Sequence, residues 1–314
     1  MVRIRRVARK TFKRLTTGFR GPLPTLTEEE RRELRSLCIF LGPYRNLTTL
    51  TASMLALHPH CQVLNHAGER VFEDKRIDFL SDYTDDKFYT FCKFAITASQ
   101  GGQHGDYGGS ITLSHAFEHP KTREVYERRF GNSLLREQVR SIAWKESLRV
   151  ANFIREHDLD IPALLERNPK VRFLMPVRNP MDCAVSNART GHVEHFKGLK
   201  PDAPIAAILE ALLVEYAWFA RLEERFPGSF FSFHQDEVDA ERLRGLSRFL
   251  DLDAPETWIQ DALTVYDVTG KYTHPSELVE RYESLVREHF EWNPDRRERL
   301  LRFARAGESQ PSSR

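Results

Sequence analysis

Short, mainly apolar runs recur along the chain and end where a polar or glycine residue follows. Residues 37–41 are apolar throughout and end in Gly42, residues 171–177 end at Arg178, and residues 229–233 are a third run of this kind. Runs of this length without polar alternation are typical of strands buried on both faces of a parallel sheet. Residues 61–64 predict a further strand.

Helical patterns occupy the segments between these runs. Residues 48–57, 181–189, 205–222, 241–250 and 275–290 predict helices. The first of them stops at His58 and Pro59, and Pro180 stands where a first helical turn accepts proline. Thr27, followed by three glutamates, is typical of a capped helix start. Strands alternating with helices predict an α/β fold with a central parallel β-sheet flanked by helices, a three-layer sandwich like that of the phosphate-loop nucleotide kinases.

The two ends of the chain differ from the middle. The first twenty residues hold eight Lys or Arg and no acid, with apolar residues at helical spacing. This pattern predicts a basic amphipathic extension over residues 1–26, which either lies on an anionic membrane surface or is simply solvated. We expect one domain over residues 27–306, followed by a polar, disordered tail over residues 307–314.

Composition narrows the class of protein. A chain of 314 residues, 40% hydrophobic and 29% charged, suits one large globular domain. A net charge of +2 gives no global basic field for nucleic acid. No apolar run reaches membrane-spanning length, no secretory signal is visible, and four scattered cysteines without paired spacing suggest reduced core residues and no zinc site. We therefore expect a cytoplasmic protein, with peripheral membrane contact through the basic extension as an option.

The turn after the first strand carries the first candidate site. Residues 42–49 read Gly-Pro-Tyr-Arg-Asn-Leu-Thr-Thr. Against the nucleotide-triphosphate loop G-x-x-x-x-G-K-[ST], Leu47 takes the second glycine and Thr48 the lysine, so the cation that grips the terminal phosphates is missing. Arg45 lies inside the loop instead, and amides at a helix start still bind an anion. The turn therefore suits a phosphate but departs from a kinase, unless it is an ordinary strand-to-helix turn.

The second candidate site follows the run at 171–177. Residues 178–186 read Arg-Asn-Pro-Met-Asp-Cys-Ala-Val-Ser. Arg178 comes at the carboxyl end of a strand, where open α/β sheets bind ligands, and Ser186 follows two helical turns later. A guanidinium and a hydroxyl placed in this way can hold one phosphate between them, although an ion pair for Arg178 is the alternative.

Together these two segments resemble the sulfotransferases that use 3'-phosphoadenosine-5'-phosphosulfate. In that family a G-x-x-[KR]-S-G-T-T turn binds the 5'-phosphosulfate and a later R-[DN]-P-x-D-x-x-x-S turn binds the 3'-phosphate. The resemblance implies that the nucleotide is bound on its 5' side by Arg45, Asn46, Leu47, Thr48 and Thr49, and on its 3' side by Arg178 and Ser186. Leu47 departs from the family's glycine, so we expect a backbone cost if a positive φ is kept there.

The resemblance extends over about residues 36–300 and is closer to the carbohydrate-type and bacterial members. Residues 269–275 are similar to the C-terminal loop of carbohydrate-type members, which folds over the nucleotide's phosphates. This similarity implies further nucleotide contacts from Lys271, Tyr272 and Thr273. A glycine-rich stretch over residues 101–109 predicts a surface loop, or alternatively a lid over an acceptor site.

The catalytic base has two candidates. Carbohydrate-type members place a glutamate just after the second strand, and Glu69 best fits that place. His66 is the rival, because its ordinary pKa lies closer to neutral. Small-molecule members use a histidine in a K-T-H segment, where this chain has Lys145 followed by Glu and Ser. The lysine is kept, and it is expected to stabilise charge on the transferred group.

The resemblance implies a sulfotransferase that transfers a sulfuryl group from 3'-phosphoadenosine-5'-phosphosulfate to an acceptor hydroxyl, without a metal. A glycan or glycolipid is the preferred acceptor, and no nucleic-acid partner is expected. Two alternatives stay open. One is a sulfotransferase-like nucleotide-binding protein that has lost activity, and the other is a phosphate-loop kinase.

Overall fold

The computed structural model describes residues 23–102, 108–268 and 272–308, the last three of them by backbone only. A six-stranded sheet in the order β3-β2-β4-β1-β5-β6 forms its centre. Five strands are parallel, and the short β3 runs antiparallel to β2 at one edge. The strands are β1 (Ser36–Phe40), β2 (Cys61–Asn65), β3 (Gly109–Ser110), β4 (Ser141–Lys145), β5 (Val171–Val177) and β6 (Phe230–His234).

Thirteen α-helices are present in the described part of the chain. They are α1 (Glu28–Glu33), α2 (Thr48–Ala56), α3 (Gly68–Glu73), α4 (Asp85–Ala98), α5 (Pro120–Phe130), α6 (Leu148–Glu156), α7 (Ile161–Arg167), α8 (Pro180–Thr190), α9 (Ile205–Arg225), α10 (Ala240–Phe249), α11 (Glu256–Val265), α12 (Ser276–His289) and α13 (Pro294–Glu308). Short 3₁₀ segments lie at Ile111–Leu113, His115–Phe117, His192–His195 and Gln235–Glu237.

The sheet is covered on both faces, as β1 shows most clearly. Every residue of β1 is buried. Leu37 and Ile39 belong to one hydrophobic cluster, with α4, α6, α8 and α9, whereas Cys38 and Phe40 belong to the opposite cluster, with α2, α5, α10 and α11. Alternate side chains of one strand thus enter two cores, which is why residues 37–40 of the strand are all apolar. The predicted three-layer α/β sandwich with its central, mostly parallel sheet is confirmed.

Most of the predicted elements are confirmed within a residue or two. The apolar runs at 37–41, 61–64, 171–177 and 229–233 are β1, β2, β5 and β6. Thr27 caps α1, accepting a hydrogen bond from the Glu30 amide at 3.2 Å. The four cysteines are buried and unpaired. Two elements were not predicted as strands, the edge strand β3 and the central strand β4.

Several predictions fall outside the described residues. These are the basic amphipathic helix within residues 1–22, the centre of the glycine-rich stretch at residues 103–107, and the tail from residue 309. The last helix continues to Glu308, two residues past the expected domain end. None of the helices in the described ranges is long and apolar enough to cross a membrane.

The topology determines where a site can form. β1 lies between β4 and β5, and β4 lies between β1 and β2. Because these four strands are parallel, their carboxyl ends meet at one edge of the sheet, where ligands of open α/β folds bind. The segments that leave this edge begin at Leu41 after β1, His66 after β2, Glu146 after β4 and Arg178 after β5.

Candidate active site

The loop after β1 has the backbone of an anion-binding turn. Gly42 has φ +97° and no room for a side chain, since an added Cβ would lie 2.8 Å from Cε of Met175. Arg45 and Leu47 also have positive φ, at 62° and 61°. Leu47 is the N-cap residue of α2, so the turn keeps its left-handed residue although leucine stands in place of glycine. We expect a backbone cost of about 1–2 kcal/mol at Leu47.

Buried polar contacts hold this strained loop in place. The Asn46 side chain is fully buried and lies between the loop and the end of β5. Its Oδ1 accepts hydrogen bonds from the Arg178 amide at 2.8 Å and from the Tyr216 hydroxyl at 2.7 Å, while its Nδ2 donates to the Pro176 carbonyl. Asn187 of α8 donates to the Tyr44 carbonyl at 2.9 Å. The side chain of Asn46 therefore holds the loop in place. Neighbouring residues of the loop are the ones that can contact a ligand.

The second motif lies directly against the first. Asn179 caps α8 by accepting from the Met181 amide at 3.0 Å. Arg45 donates from Nε to Oγ of Ser186 at 2.9 Å. Arg178 is 7% exposed, and its Nη2 lies 3.5 Å from Oδ2 of Asp182. Its Nε is buried and has no hydrogen-bond partner, which leaves one strong donor unused beside the loop.

A third group of side chains comes from the ends of β2 and β4. Asn65 and Lys145 are paired across these strands, so His66 and Glu146 follow side by side. His66 Nε2 lies 3.1 Å from Lys145 Nζ, and His66 Nδ1 lies 3.8 Å from Glu146 Oε2. Lys145 and Glu146 are 4% and 0% exposed. A buried lysine, a partly exposed imidazole and a buried carboxylate thus form a row at the edge of the sheet that carries the loop.

The charges in this row shift one another's pKa values. Burial lowers the pKa of Lys145 to about 8; Glu146 opposes this shift, and Arg149 and Arg45 add to it. Burial and Lys145 lower the pKa of His66, against the opposing effect of Glu146. Burial alone would raise the pKa of Glu146, but His66, the Gly68 amide and Lys145 together hold it below its ordinary value. At neutral pH His66 is therefore mainly neutral and Glu146 is ionised.

The backbone at His66 is strained and firmly held. His66 and Ala67 have φ values of 63° and 92°. The His66 amide donates to the Lys145 carbonyl at 2.8 Å, and its own carbonyl accepts from the Trp144 indole at 2.7 Å. Left-handed residues other than glycine are concentrated at functional sites, where the surroundings fix them. The turn with positive φ after β1, at Arg45 and Leu47, and the one after β2, at His66, border the same cavity.

One cavity of about 570 Å³ joins the three groups. The nucleotide-binding candidates Arg45, Leu47, Thr48, Thr49 and Arg178 line it, together with His66 and Lys145. The segments 113–122 and 264–268 form its other walls and contribute Lys121 and Asp267. Asp267 is the one carboxylate among its described lining residues, so the cavity is predominantly cationic and suits a polyanion.

Other predicted residues lie elsewhere. Glu69 is on the first turn of α3; its side chain is 46% exposed, and its Oε1 lies 3.5 Å from Arg149 Nη1. It is not among the residues that line the cavity. Tyr272 and Thr273 line a separate cavity of about 590 Å³ beside α8, where the Arg189 guanidinium lies 4.7 Å from the centre of the Tyr272 ring. Lys271 lies outside the described residues.

Two features of the site were not predicted from the sequence. The first is Glu146, whose position depends on the central strand β4. The second is an aromatic contact in which the Tyr44 ring lies 4.9 Å from His192 and 4.8 Å from His195, ring centre to ring centre. Tyr44 belongs to the loop after β1 and the histidines follow α8, so this contact joins the two motifs once more.

Fold and site together define an α/β protein with a predominantly cationic cavity at the carboxyl edge of its central sheet. No family model and no curated protein matches the chain. Among solved structures, the mouse sulfotransferase SULT7A1 complexed with PAP is 13% identical, with 88% of this chain and 90% of that chain covered and a TM-score of 0.41. A sulfotransferase from Alicyclobacillus acidocaldarius is 14% identical, with 85% and 96% covered and a TM-score of 0.40. Such low values carry no activity over to this chain.

Proposed function

We propose that this protein is a sulfotransferase that uses 3'-phosphoadenosine-5'-phosphosulfate and transfers the sulfuryl group to an acceptor hydroxyl. The contact between Arg45 and Ser186 carries this proposal, because it joins the two sequence motifs at 2.9 Å. Each motif alone is compatible with an ordinary turn. Their meeting in one cationic cavity, next to a buried lysine and a neutral imidazole, favours a nucleotide with phosphates at both ends.

The residues present fit that nucleotide. The amides at the start of α2, with Arg45, Thr48 and Thr49, suit the 5' side. Arg178 and Ser186 suit the 3'-phosphate, and the buried, unpartnered Nε of Arg178 is a donor of the kind that a phosphate oxygen would satisfy. The nucleotide supplies a sulfuryl group activated by its bond to phosphate.

The loop over residues 271–273 remains part of this proposal. His274 Nε2 lies 2.9 Å from Asp182 Oδ1, and Asp182 pairs with Arg178. This chain of contacts links the segment to the 3'-phosphate motif. We propose that Lys271, Tyr272 and Thr273 contribute to nucleotide binding from there.

For the proton transfer, the geometry favours His66 over Glu69. His66 lines the cavity beside Lys145, whereas Glu69 is half-exposed and paired with Arg149. In our proposal His66 Nε2 accepts the proton of the acceptor hydroxyl, and the Lys145 cation stabilises negative charge at the reacting group. His66→Gln should lower kcat by about 100-fold or more, and Glu69→Gln by less than about 3-fold. If Glu69→Gln instead lowers kcat much more than His66→Gln does, Glu69 is the base.

The two alternative functions, a phosphate-loop kinase and a binding protein without activity, require different residues. A kinase of the phosphate-loop type needs a lysine where this chain has Thr48. A binding protein without activity needs no base, yet His66 is held by a strained backbone beside Lys145 in the same cavity as the phosphate-binding candidates. The carbohydrate preference rested on Glu69 and on the loop at 269–275, so we propose a hydroxyl acceptor and no narrower class.

Titration calorimetry with adenosine 3',5'-bisphosphate is the direct test. We expect binding that is unchanged by EDTA and weakened at least tenfold in Arg178→Met, which loses the charge-assisted contacts but keeps an unbranched side chain. Thr97→Ala, on the exposed face of α4, is the matched control. Transfer of labelled sulfate to a panel of hydroxyl acceptors then separates an enzyme from an inactive binder. Absence of nucleotide binding by the folded protein, or Mg²⁺-dependent ATP turnover, would overturn the proposal.

A further inference from the structure

Glu146 is a buried carboxylate, and one of its two oxygens has no hydrogen-bond partner. It follows β4 directly and is 0% exposed. Its Oε1 accepts a hydrogen bond from the Gly68 amide at 2.8 Å. Its Oε2 has no hydrogen-bond partner and lies 3.8 Å from Nδ1 of His66. An ionised carboxylate oxygen in the interior is costly unless a donor satisfies it. The Nδ1–H of His66, now 3.8 Å away, becomes that donor when the two side chains approach each other by about 1 Å.

The other ring nitrogen of His66, Nε2, lies on the side of the cavity. Nε2 of His66 lies 3.1 Å from Nζ of Lys145, and both residues line the cavity. A lysine ammonium has only donors, so its neighbour Nε2 must offer a lone pair. The Glu146 carboxylate on one side and the Lys145 ammonium on the other therefore favour the same tautomer, with the proton on Nδ1.

We propose that Glu146 is the positioning residue for His66, holding the imidazole with its proton on Nδ1 and its Nε2 lone pair toward the cavity. This inference rests on the proposed function for its consequence in catalysis. When the acceptor binds, its hydroxyl replaces Lys145 Nζ as the partner of the Nε2 lone pair and gives its proton to Nε2. The acceptor oxygen bonds to sulfur as the bond from sulfur to the 5'-phosphate breaks and leaves its electron pair on that phosphate. The Glu146 carboxylate faces the imidazolium that results.

The remaining charges around His66 do not replace this role. Lys145 from β4 and Arg149 from α6 both disfavour the imidazolium, and Glu146 is the group that favours it. Gly68 begins α3, and a Cβ there would lie 3.1 Å from Glu146 Oε1. The carboxylate is thus confined by its contact with the start of α3, and its second oxygen stays 3.8 Å from Nδ1 of His66.

Glu146→Gln is the sharpest variant. Its amide oxygen can keep the Gly68 contact, and its NH₂ group then faces Nδ1 and demands a lone pair there. We expect the His66 tautomer to change from Nδ1–H to Nε2–H, read by long-range proton–nitrogen NMR of ¹⁵N-histidine-labelled protein, with the signals assigned through His66→Gln. We also expect kcat to fall about 100-fold, and the acid limb of the kcat/KM profile to move to lower pH because a carboxylate that raises the pKa of His66 is gone.

A double-mutant cycle tests whether Glu146 acts through His66. Glu146→Gln should cost less than about 3-fold in kcat when it is added to His66→Gln, because the group it positions is absent. Glu194→Gln is the control: this exposed carboxylate raises the pKa of His195 and His192, and its loss should leave the His66 tautomer unchanged.

The outcomes separate this inference from the proposed function. An Nε2–H tautomer in the unmodified protein, or a tautomer that Glu146→Gln does not alter, would overturn the positioning role, whatever the activity. Full additivity in the cycle would also overturn it. A protein that shows the expected tautomer change but neither binds adenosine 3',5'-bisphosphate nor transfers sulfate would instead refute the sulfotransferase proposal.

Discussion

Arg45 donates a hydrogen bond to Ser186 across 2.9 Å, although the two residues are 141 positions apart in the chain. Arg45 belongs to the loop after β1 and Ser186 to helix α8 after β5, and these strands are neighbours in the sheet. The parallel register therefore brings a cation and a hydroxyl from two separate turns to one place. A phosphate bound there would find donors from both motifs.

Ser186→Ala tests this junction. We expect the dissociation constant for adenosine 3',5'-bisphosphate to rise about tenfold, equivalent to one lost hydrogen bond of about 1.4 kcal/mol. Calorimetry measures the change, and Thr97→Ala removes a hydroxyl from an exposed helix face as a control. An unchanged dissociation constant for Ser186→Ala would contradict the placement of the 3'-phosphate beside Ser186.

Asn46→Ala should lower stability more than any other single change in the loop. It leaves the Arg178 amide, the Tyr216 hydroxyl and the Pro176 carbonyl without their partner in the interior. We expect a loss of about 3 kcal/mol in the free energy of unfolding, against about 1 kcal/mol for Tyr216→Phe, which removes one of these contacts. Urea denaturation measures both. A larger loss for Tyr216→Phe would show that Asn46 is not the main fastening of the loop.

Position 47 tests whether the loop needs a left-handed residue. Leu47 has φ 61°, so Leu47→Gly keeps the conformation without strain and should bind adenosine 3',5'-bisphosphate within about 3-fold of the unmodified protein. Leu47→Ile puts a β-branched side chain at the same φ, and we expect binding to weaken about tenfold. Calorimetry compares the two. Equal binding by both variants would mean that the loop binds the nucleotide in another backbone conformation.

The sequence predicted the fold because the buried strands carry an unambiguous pattern. β1 and β5 carry apolar residues on both faces, since each face of the sheet meets a separate hydrophobic cluster. β4 lies equally deep, but it begins with Ser141 and ends with Lys145, so only three apolar residues stand between them. Its polar end faces the cavity, and the chemistry of the site therefore obscured the strand.

The proposed catalytic group was harder to predict because strand order is a property of the whole fold. In the segment at Lys145 the sequence lacks the histidine expected from small-molecule sulfotransferases. The parallel pairing of Asn65 with Lys145 places His66 of the neighbouring strand beside that lysine. No local pattern shows which strands are neighbours, so sequence reasoning could name His66 and Lys145 separately but could not bring them together, and it passed over Glu146.

Because Lys145 loses its charge as the pH rises, we expect nucleotide binding to weaken at high pH. Its pKa is lowered to about 8 because burial opposes the cation, so Lys145 is mainly charged at pH 7 and loses its charge as the pH rises through about 8. A bound anion favours the charged form. We therefore expect the dissociation constant for adenosine 3',5'-bisphosphate to rise above about pH 8, by at most tenfold per pH unit, a range well above the second pKa of about 6 of the ligand's own phosphates.

Lys145→Arg is the matched variant for this effect, because arginine stays charged throughout the range. Calorimetry from about pH 7.5 to about pH 9.5, above the range in which the ligand's phosphates titrate, should show the rise in the unmodified protein and a flat profile in Lys145→Arg. Lys121→Arg, which alters an exposed cation on the cavity wall, should keep the rise. A rise that persists unchanged in Lys145→Arg would assign the titration to another group and remove Lys145 from the anion site, because its proton would then be unaffected by the nucleotide's charge.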